Sequence, residues 1–273
     1  MDVRHSTHPD DARTLDTAAL RSRFLVENLF APGEVRLTMA HDDRLVIGGA
    51  VPGTDPLPLD PPDQLRAQSF CERREVAVVN VGDAPATVTA DGQEYRLDHF
   101  DLLYLGAGTQ GVQLAGEGAR LYLVSAPASS THPTALVRRD EAEALHMGAD
   151  EGANVRTIRR YVHADGVASD RLVLGITTLA PGSVWNTMPP HTHDRRTEVY
   201  LYTGLGEAGR VMHFCGQPDQ LRTLVVQDQQ AVISPPWSVH SGAGTGAYSF
   251  VWAMAGENQA FDDMDAVDVA QLR

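Results

Sequence analysis

The chain has 273 residues, of which 42% are hydrophobic and 21% charged, a composition typical of a globular protein with one large or two smaller domains. Its formal net charge is −14, and all 22 basic residues are arginine, because the sequence contains no lysine. The charge argues against a nucleic-acid partner, and the absence of lysine excludes Schiff-base chemistry. No apolar run suits a signal peptide or a membrane span, and the two cysteines, Cys71 and Cys215, are too far apart to suggest a disulfide framework. We therefore expect a soluble, cytoplasmic protein.

The predicted elements begin with a helix over residues 14–30, where good helix formers precede an Ala-Pro-Gly stop. From Glu34 onward, short β-rich runs alternate with Gly, Pro, Asn and Asp, which is typical of an antiparallel sandwich or barrel. A Pro/Ser/Thr linker interrupts these runs, and a short helical patch is predicted at residues 138–147. The sequence therefore predicts an all-β fold with a first domain over residues 1–127 and a second over residues 128–273.

The two halves resemble each other, which indicates a duplication. Residues 73–82 resemble residues 195–204, and an overlay shifted by one residue matches Glu75 with Glu198. The histidines of the second half have no histidine opposite them in the first. One site per chain is expected, in the second half, and the first half is expected to supply scaffold and subunit contacts.

One stretch of the second half contains two histidines two residues apart and a glutamate five residues later. On a β-strand, residues i and i+2 point to the same face, so His191 and His193 can present two imidazoles to one point. Glu198 is an odd number of positions further, so a turn or bulge in the Asp-Arg-Arg-Thr segment must re-aim it. His240 follows two prolines at the end of another strand. Three imidazoles and a carboxylate suit a borderline divalent ion such as Zn²⁺, Mn²⁺, Fe²⁺, Ni²⁺ or Co²⁺, whereas a His-x-His pair alone is also common on exposed strands.

These spacings, His-x-His-x4-Glu followed by Pro-x4-His, resemble the two metal motifs of the cupin superfamily, whose small β-barrels hold the ion inside. The sequence departs from the usual pattern at Trp237, which takes the place of a glycine, and at Gly182, which lies further upstream of His191 than usual. The resemblance implies a bicupin: two jelly-roll-like antiparallel β-barrels with a few short helices, of which only the carboxy-terminal barrel binds metal.

Longer segments, among them residues 179–202, 230–245 and 256–265, resemble the 5-keto-4-deoxyuronate isomerase family of pectin breakdown, and the likeness runs through nearly the whole chain. It implies a cytoplasmic homo-oligomer, often a hexamer, with one Zn²⁺ per subunit. It also implies the ketol isomerisation of 5-dehydro-4-deoxy-D-glucuronate (4-deoxy-L-threo-5-hexosulose uronate) to 3-deoxy-D-glycero-2,5-hexodiulosonate through metal-assisted enediol chemistry. The implied zinc ligands are His191, His193, Glu198 and His240.

This reaction requires proton transfer and hydrogen bonds to the substrate hydroxyls. His213 is the only other histidine in the predicted strands of the second half, and we predict that it shuttles the proton; the alternative is a packed, hydrogen-bonded imidazole. Tyr200 and Tyr202 follow Glu198 at even offsets and are expected to face the barrel interior. There they either donate to the substrate or belong to the core.

An anionic uronate also needs a cationic partner in a chain of net charge −14. Arg195 and Arg196 adjoin the predicted ligands and are the candidates for binding the substrate carboxylate. The alternative is that one of them lies on the surface or pairs with an acid such as Asp262 or Asp263.

Three rival functions fit the same motifs. Three histidines and a glutamate also suit Fe²⁺, so a metal-dependent cupin dioxygenase is one alternative. A non-catalytic sugar-binding cupin is another, although no helix-turn-helix segment or basic patch supports a regulatory version. A structural bicupin that merely retains the ion is the third.

Overall fold

The computed structural model describes residues 1–273 and contains 23 β-strands, two short α-helices and four 3₁₀ turns. The prediction of an all-β chain is confirmed. None of its helices has the length and apolar character needed to cross a membrane.

The strands of the first half, in chain order, are β1 (Asp2–Arg4), β2 (Leu25–Val26), β3 (Val35–Ala40), β4 (Val46–Ala50), β5 (Leu57–Pro58), β6 (Arg74–Asn80), β7 (Ala86–Ala90), β8 (Gln93–Leu97), β9 (Leu102–Leu105), β10 (Gln113–Ala115) and β11 (Leu121–Pro127). The helices are α1 (Pro9–Ala12) and α2 (Thr17–Phe24), and the 3₁₀ turns are Asp42–Arg44, Asp63–Leu65, Asp150–Gly152 and Val269–Gln271.

The strands of the second half are β12 (Ala135–Val137), β13 (Glu143–Met147), β14 (Arg156–Val162), β15 (Leu172–Leu179), β16 (Trp185–Thr192), β17 (Arg196–Thr203), β18 (Val211–Cys215), β19 (Arg222–Val226), β20 (Ala231–Ser234), β21 (His240–Gly244), β22 (Ser249–Gly256) and β23 (Asp265–Ala266).

Two helix predictions need correction. The helix predicted over residues 14–30 is shorter: Asp16 caps its start by accepting a hydrogen bond from the amide of Ala19 at 2.7 Å, and it ends at Phe24 because β2 joins a sheet through β20. The helical patch predicted at residues 138–147 is wrong: residues 139–141 form a turn, and residues 143–147 are strand β13, paired with β14. In both cases sheet pairing overrides local helix propensity.

Each half consists of a seven-stranded sheet packed on a smaller one. In the first half the order β1-β3-β4-β11-β6-β9-β12 packs on β5-β10-β7-β8. In the second half the order β13-β14-β15-β22-β17-β20-β2 packs on β19-β18-β21-β16-β23. The ladders are antiparallel apart from β1 with β3, and each sheet remains open at its edges rather than closing on itself.

The two seven-stranded sheets pack against each other, so the chain has three hydrophobic cores. We call them the first-half core, inside the first sheet pair; the second-half core, inside the second pair; and the shared core, between the large sheets. Two segments cross the domain boundary predicted between residues 127 and 128, because β2 belongs to the second half's sheet and β12 to the first half's.

Side-chain alternation on β17 points two tyrosines and a glutamate between the two sheets of the second half. Tyr200 and Tyr202 belong to the second-half core, whereas Val199 and Leu201 belong to the shared core. Glu198 is two residues before Tyr200 and therefore shares its face.

Strand β6 alternates in the same way, but its carboxylate lies on the other face. Val76 and Val78 fill the first-half core, and Ala77 faces the shared core. Glu75 shares the face of Ala77. The overlay that matched Glu75 with Glu198 is therefore wrong in three dimensions, because Glu198 points into its own half and Glu75 points toward the other half.

Candidate metal centre

Two neighbouring strands bring three histidines together. His191 lies near the end of β16, and His240 is the first residue of β21 and its direct partner across the ladder. Directly opposed residues on antiparallel strands hold their side chains close together, and residue i+2 shares the face. His193 therefore joins the same cluster. Its own backbone N–H donates to the carbonyl of Pro236 at 3.2 Å, just before the turn that leads into β21.

A tight turn between β16 and β17 re-aims the chain toward Glu198, as the odd spacing predicted. The amide of Arg196 donates to the carbonyl of His193 at 3.0 Å, and β17 then continues as a fully buried strand. Glu198 is 3% exposed and His240 1% exposed, so both side chains are shielded from bulk solvent, whereas His191 is partly exposed.

The four side chains converge on one point. His191 Nε2 is 3.2 Å from His193 Nε2 and 3.0 Å from His240 Nε2, while Glu198 Oε2 is 3.0 Å from His193 Nε2 and 2.7 Å from His240 Nε2. All four candidate ligand atoms lie within 4.8 Å of one another. Neighbouring ligands of an ion bound at about 2.0–2.2 Å stand about 2.8–3.6 Å apart in octahedral or tetrahedral geometry, which matches these separations. This group can hold a metal ion.

The hydrogen bonds of His193 give an independent test of that fit. Its Nδ1 lies 2.9 Å from the carbonyl oxygen of Asp263, which can only accept, so Nδ1 is the donor of this hydrogen bond. In the form that binds a metal, Nε2 is unprotonated and its lone pair faces the Glu198 carboxylate oxygen at 3.0 Å, so two buried acceptors would stand in contact. A cation between them resolves this conflict, and a backbone carbonyl behind the distal nitrogen is the usual support of a metal-binding histidine.

The electrostatics of the cluster keep His191 and Glu198 in their metal-binding forms. Burial lowers the pKa of His191 to about 2, and the nearby His240 acts in the same direction, so its imidazole is neutral at physiological pH. Burial opposes ionisation of Glu198, but the adjacent imidazoles of His240 and His193 outweigh it, and the pKa of Glu198 lies below its usual value. Neutral imidazoles and an ionised carboxylate are the forms that bind divalent metals.

The four candidate ligands, His191, His193, Glu198 and His240, are called the donor set below. The donor set opens onto a cavity of about 390 Å³. Its wall is formed largely by β14, β15, β17 and β22 on one side and by the bulged part of β16 on the other. A cavity of this size suits a small-molecule ligand. Aromatic and thioether side chains dominate the lining, among them Tyr200, Phe250, Trp252, Met254 and Phe261.

The two tyrosines predicted to face the interior have different surroundings. Tyr200 lines the cavity, its hydroxyl is 2.9 Å from Thr187 Oγ1, and its ring centroid is 5.4 Å from that of His240. Tyr202 lies deeper and does not reach the cavity wall. Burial raises the pKa of both phenols well above the usual value, so both remain protonated donors.

His213 also lies behind the cavity wall. Its Nδ1 is 2.8 Å from the hydroxyl of Tyr202, and its Nε2 is buried without a hydrogen-bond partner. Burial lowers the pKa of His213 to about 3, and the nearby His240 contributes in the same direction. The position predicted for a proton shuttle is therefore that of a neutral imidazole beneath the site, out of direct contact with the cavity.

Arg195 and Arg196, predicted to bind a substrate carboxylate, do not line the cavity. Arg195 forms ion pairs with Asp263 at 2.6 Å and Asp265 at 2.9 Å, and hydrogen bonds to these two acids raise its pKa further above the usual value. Arg196 is fully buried and donates to the carbonyls of Ala260 at 2.5 Å and Asp263 at 2.6 Å. Both guanidinium groups hold the segment that follows β22 onto the site, so their positions do not support the carboxylate-binding role.

Sequence reasoning missed two charged residues of the cavity lining, Arg156 and Asp262. Arg156 comes from β14, far from the histidine motif in sequence, and only the sheet order brings it to the cavity. Asp262 was considered only as a partner for the neighbouring arginines. The alternation along β14 carried a usable signal, because Ile158 also lines the cavity while the intervening Thr157 does not.

Comparison with known proteins identifies the family. The protein-family model described as the KduI/IolB family matches residues 24–272 of this chain. The chain belongs to the KduI/IolB family. Two relatives named 4-deoxy-L-threo-5-hexosulose-uronate ketol-isomerase, from Kineococcus radiotolerans and Shouchella clausii, are 54% identical over 280 residues and 48% identical over 277 residues, with 100% of each chain covered. The family resemblance inferred from the motif segments is confirmed.

Solved structures show the fold of this KduI/IolB-family chain at lower identity. An IolB-like protein from Salmonella typhimurium is 16% identical with a TM-score of 0.71, over 89% of this chain and 96% of that one. The oxalate decarboxylase of Lactobacillus farciminis is 12% identical with a TM-score of 0.53, over 89% of both chains.

Proposed function

We propose that this chain is a metal-dependent ketol-isomerase of uronate breakdown, which converts 4-deoxy-L-threo-5-hexosulose uronate to 3-deoxy-D-glycero-2,5-hexodiulosonate. The observation that carries the proposal is the convergence of His191, His193, Glu198 and His240 at the wall of a ligand-sized cavity. That cavity lies in a chain that matches ketol-isomerases of that name over its full length.

We propose one Zn²⁺ per chain, held by these four side chains. Three neutral imidazole nitrogens and one carboxylate oxygen suit zinc, and an aldose–ketose shift needs no redox-active metal. When bound, the ion would supply Lewis acidity toward two neighbouring oxygens of the substrate. Iron-dependent oxygen chemistry is the alternative that the same donors allow.

The chain's own groups would move the protons. The isomerisation transfers one proton from C2 to C1 and one from the C2 hydroxyl to the C1 oxygen, with no net redox change. Tyr200, kept protonated by burial and paired with Thr187, can donate to a substrate oxygen at the cavity wall. The cavity lining contains two carboxylates, Glu198 and Asp262, and only Glu198 belongs to the donor set. Asp262 can therefore accept the C2 proton. We no longer assign this transfer to His213, because it lies behind the wall.

Finer features of the fold and assembly belong to the same proposal. We propose that each pair of sheets is one cupin unit, so that the chain is a bicupin divided near residues 127 and 128, with β2 and β12 exchanged across the boundary. The free thiols of Cys71 and Cys215 fit a reducing compartment, the cytoplasm. A homo-oligomer, with a hexamer as the expected form, completes the proposal.

The decisive experiment incubates the purified protein with the product of oligogalacturonate lyase action, with and without a chelator. We expect the C1 aldehyde signal to disappear in NMR as the 2-ketone forms, and the chelator to abolish this conversion until zinc is restored. Consumption of oxygen during the reaction would favour a dioxygenase. Binding without conversion would favour a sugar-binding protein, and conversion that survives complete metal removal would contradict the proposal.

A further inference from the structure

The cavity contains a single arginine, and it differs from every other arginine near the site. Arg156 extends from β14 into the cavity, where its Nη1 donates to the backbone carbonyl of Asn154 at 2.9 Å. This is its one side-chain hydrogen bond, and no acid lies within ion-pair distance. The remaining N–H donors of the guanidinium are therefore not engaged by the protein.

The other arginines of this strand and of the ligand turn are engaged or face elsewhere. Arg160 pairs with Glu143 at 2.5 Å and lies over the ring of Phe261 at 5.2 Å. Arg195 pairs with two aspartates, and Arg196 donates to backbone carbonyls. Arg159 lies on the other face of β14 and is absent from the cavity lining.

An unpaired, half-buried guanidinium is energetically unfavourable unless a ligand supplies its counter-charge, because desolvation is not offset by a partner. Burial lowers the pKa of Arg156 from its usual value, which reflects this desolvation, and the nearby Tyr200 acts in the opposite direction. Tyr200 lines the same cavity as Arg156, and its ring packs beside that of His240 with 5.4 Å between the centroids. A ligand in this cavity can therefore reach three of the four candidate metal ligands, the phenol of Tyr200 and the guanidinium of Arg156.

We infer that Arg156 binds the carboxylate of the substrate and determines the preference for a uronate over a neutral sugar. The inference rests on the proposed function and extends it to the substrate-binding group. A guanidinium can hold a carboxylate through two parallel N–H···O bonds, which fixes orientation as well as charge. In a chain of net charge −14, with Glu198 and Asp262 also at the cavity, such a cation is needed to admit an anion.

The test compares Arg156→Gln and Arg156→Lys with the matched control Arg159→Gln, three residues away on the opposite face of the same strand. For the uronate, we expect Arg156→Gln to raise KM about 30- to 100-fold with kcat reduced less than about tenfold. Arg156→Lys should recover part of the loss, because lysine keeps the charge but not the fork. Arg159→Gln should match the wild type, and zinc content should be the same in all four proteins.

A second substrate separates charge recognition from a general disturbance of the site. The analogue in which the C6 carboxylate is reduced to an alcohol should be converted poorly by the wild type, and Arg156→Gln should make it no worse. An unchanged KM for the uronate in Arg156→Gln, or an equal loss on the reduced analogue, would overturn the inference.

Direct binding distinguishes failure of this inference from failure of the proposed function. Calorimetry with the metal-free proteins should show the same 30- to 100-fold weakening of uronate binding in Arg156→Gln, because the carboxylate contact does not involve the ion. A zinc-loaded wild type that binds the uronate without converting it would contradict the isomerase proposal, while the affinity ratio still decides the role of Arg156. Equal affinities, or no binding by the wild type, would reject that role.

Discussion

The two halves of the chain use similar pairs of sheets in opposite ways. In the first half, aliphatic side chains from both sheets fill the space between them, among them Val76, Val88, Leu103 and Leu114. In the second half, the corresponding space contains the histidine cluster, a network of tyrosines and an open cavity. A ligand site therefore arises where the same framework is left incompletely filled.

The two buried glutamates show what decides this difference. Glu198 points into its own half, where three imidazoles surround it. Glu75 points out of its half and accepts hydrogen bonds from the backbone amides of residues 170–172 at 2.7–2.8 Å and from the Tyr104 hydroxyl at 2.6 Å. Because adjacent strand positions face opposite ways, one residue of register separates a candidate metal ligand from a clamp between halves.

This comparison also gives the first half a role in the site. Asp43, on the 3₁₀ turn Asp42–Arg44, accepts from the amide of Thr197 at 2.7 Å and from its hydroxyl at 2.6 Å. Thr197 immediately precedes Glu198, so a residue of the first half holds the strand that carries a candidate ligand. The first half therefore helps to position the candidate site of the second.

The largest expected effect is the loss of zinc and activity when Glu198, but not Glu75, is replaced by glutamine. Glu198→Gln removes the anionic donor, and we expect zinc content to fall from about one ion per chain to below about 0.2, with activity reduced at least about 1,000-fold. Elemental analysis and the isomerase assay measure both. The matched variant Glu75→Gln should retain the ion; loss of zinc in both would show that the two carboxylates are not functionally distinct.

Glu75→Gln should instead destabilise the contact between the halves. In the wild type, the backbone N–H groups of residues 170–172 donate to the Glu75 carboxylate. Glutamine at position 75 would place its own N–H donors against these N–H groups, so we expect the free energy of unfolding to fall by about 2–3 kcal/mol. Denaturant titration of the zinc-loaded protein measures the change. A stability equal to that of the wild type would mean that the clamp is not stabilising.

Asp43→Ala tests the support that crosses between the halves. Loss of both hydrogen bonds to Thr197 frees the start of β17, and we expect zinc affinity to fall about tenfold, the usual scale for groups that orient ligands. Competition with a chelator of known affinity measures it. Asp42→Ala, the neighbouring acid without such bonds, is the control, and equal zinc affinities in the two variants would contradict the prediction.

The smallest expected effect concerns pH and the buried imidazole of the second half. The folded-state pKa of His213, about 3, lies below the ordinary value of 6.5, so the unfolded chain takes up the proton first as the pH falls. The His213 contribution to stability is fully present above pH 6.5 and declines below it, by about 1 kcal/mol between pH 7.5 and 5.5. Denaturant titrations at these two pH values should show a decline that is about 1 kcal/mol larger in the wild type than in His213→Gln, because His191, whose pKa is also lowered, contributes to both proteins.

The same variant decides the earlier assignment of His213. Equal pH dependence in the two proteins would mean that His213 does not titrate as a buried neutral group. Complete loss of turnover in His213→Gln with zinc content retained would return the proton-transfer role to His213.

The sequence by itself determined what local spacing and alternation can specify. The i, i+2 rule brought His191 and His193 to one face, the odd offset required the turn before Glu198, and the punctuated β-rich runs predicted an all-β chain. The long motif segments predicted the family. These features depend on residues close together in the chain, so they can be read without knowledge of strand pairing.

Tertiary structure decided what depends on which strands pair and which way a side chain faces. Sheet order brought Arg156 into the cavity, and neighbouring acids and carbonyls engaged Arg195 and Arg196. The face of β6 turned Glu75 away from its expected counterpart, and long-range pairing converted residues predicted as helix into strands β2 and β13. The physical reason is that a charged side chain acquires its role from the partners that folding brings to it, and those partners are distant in sequence.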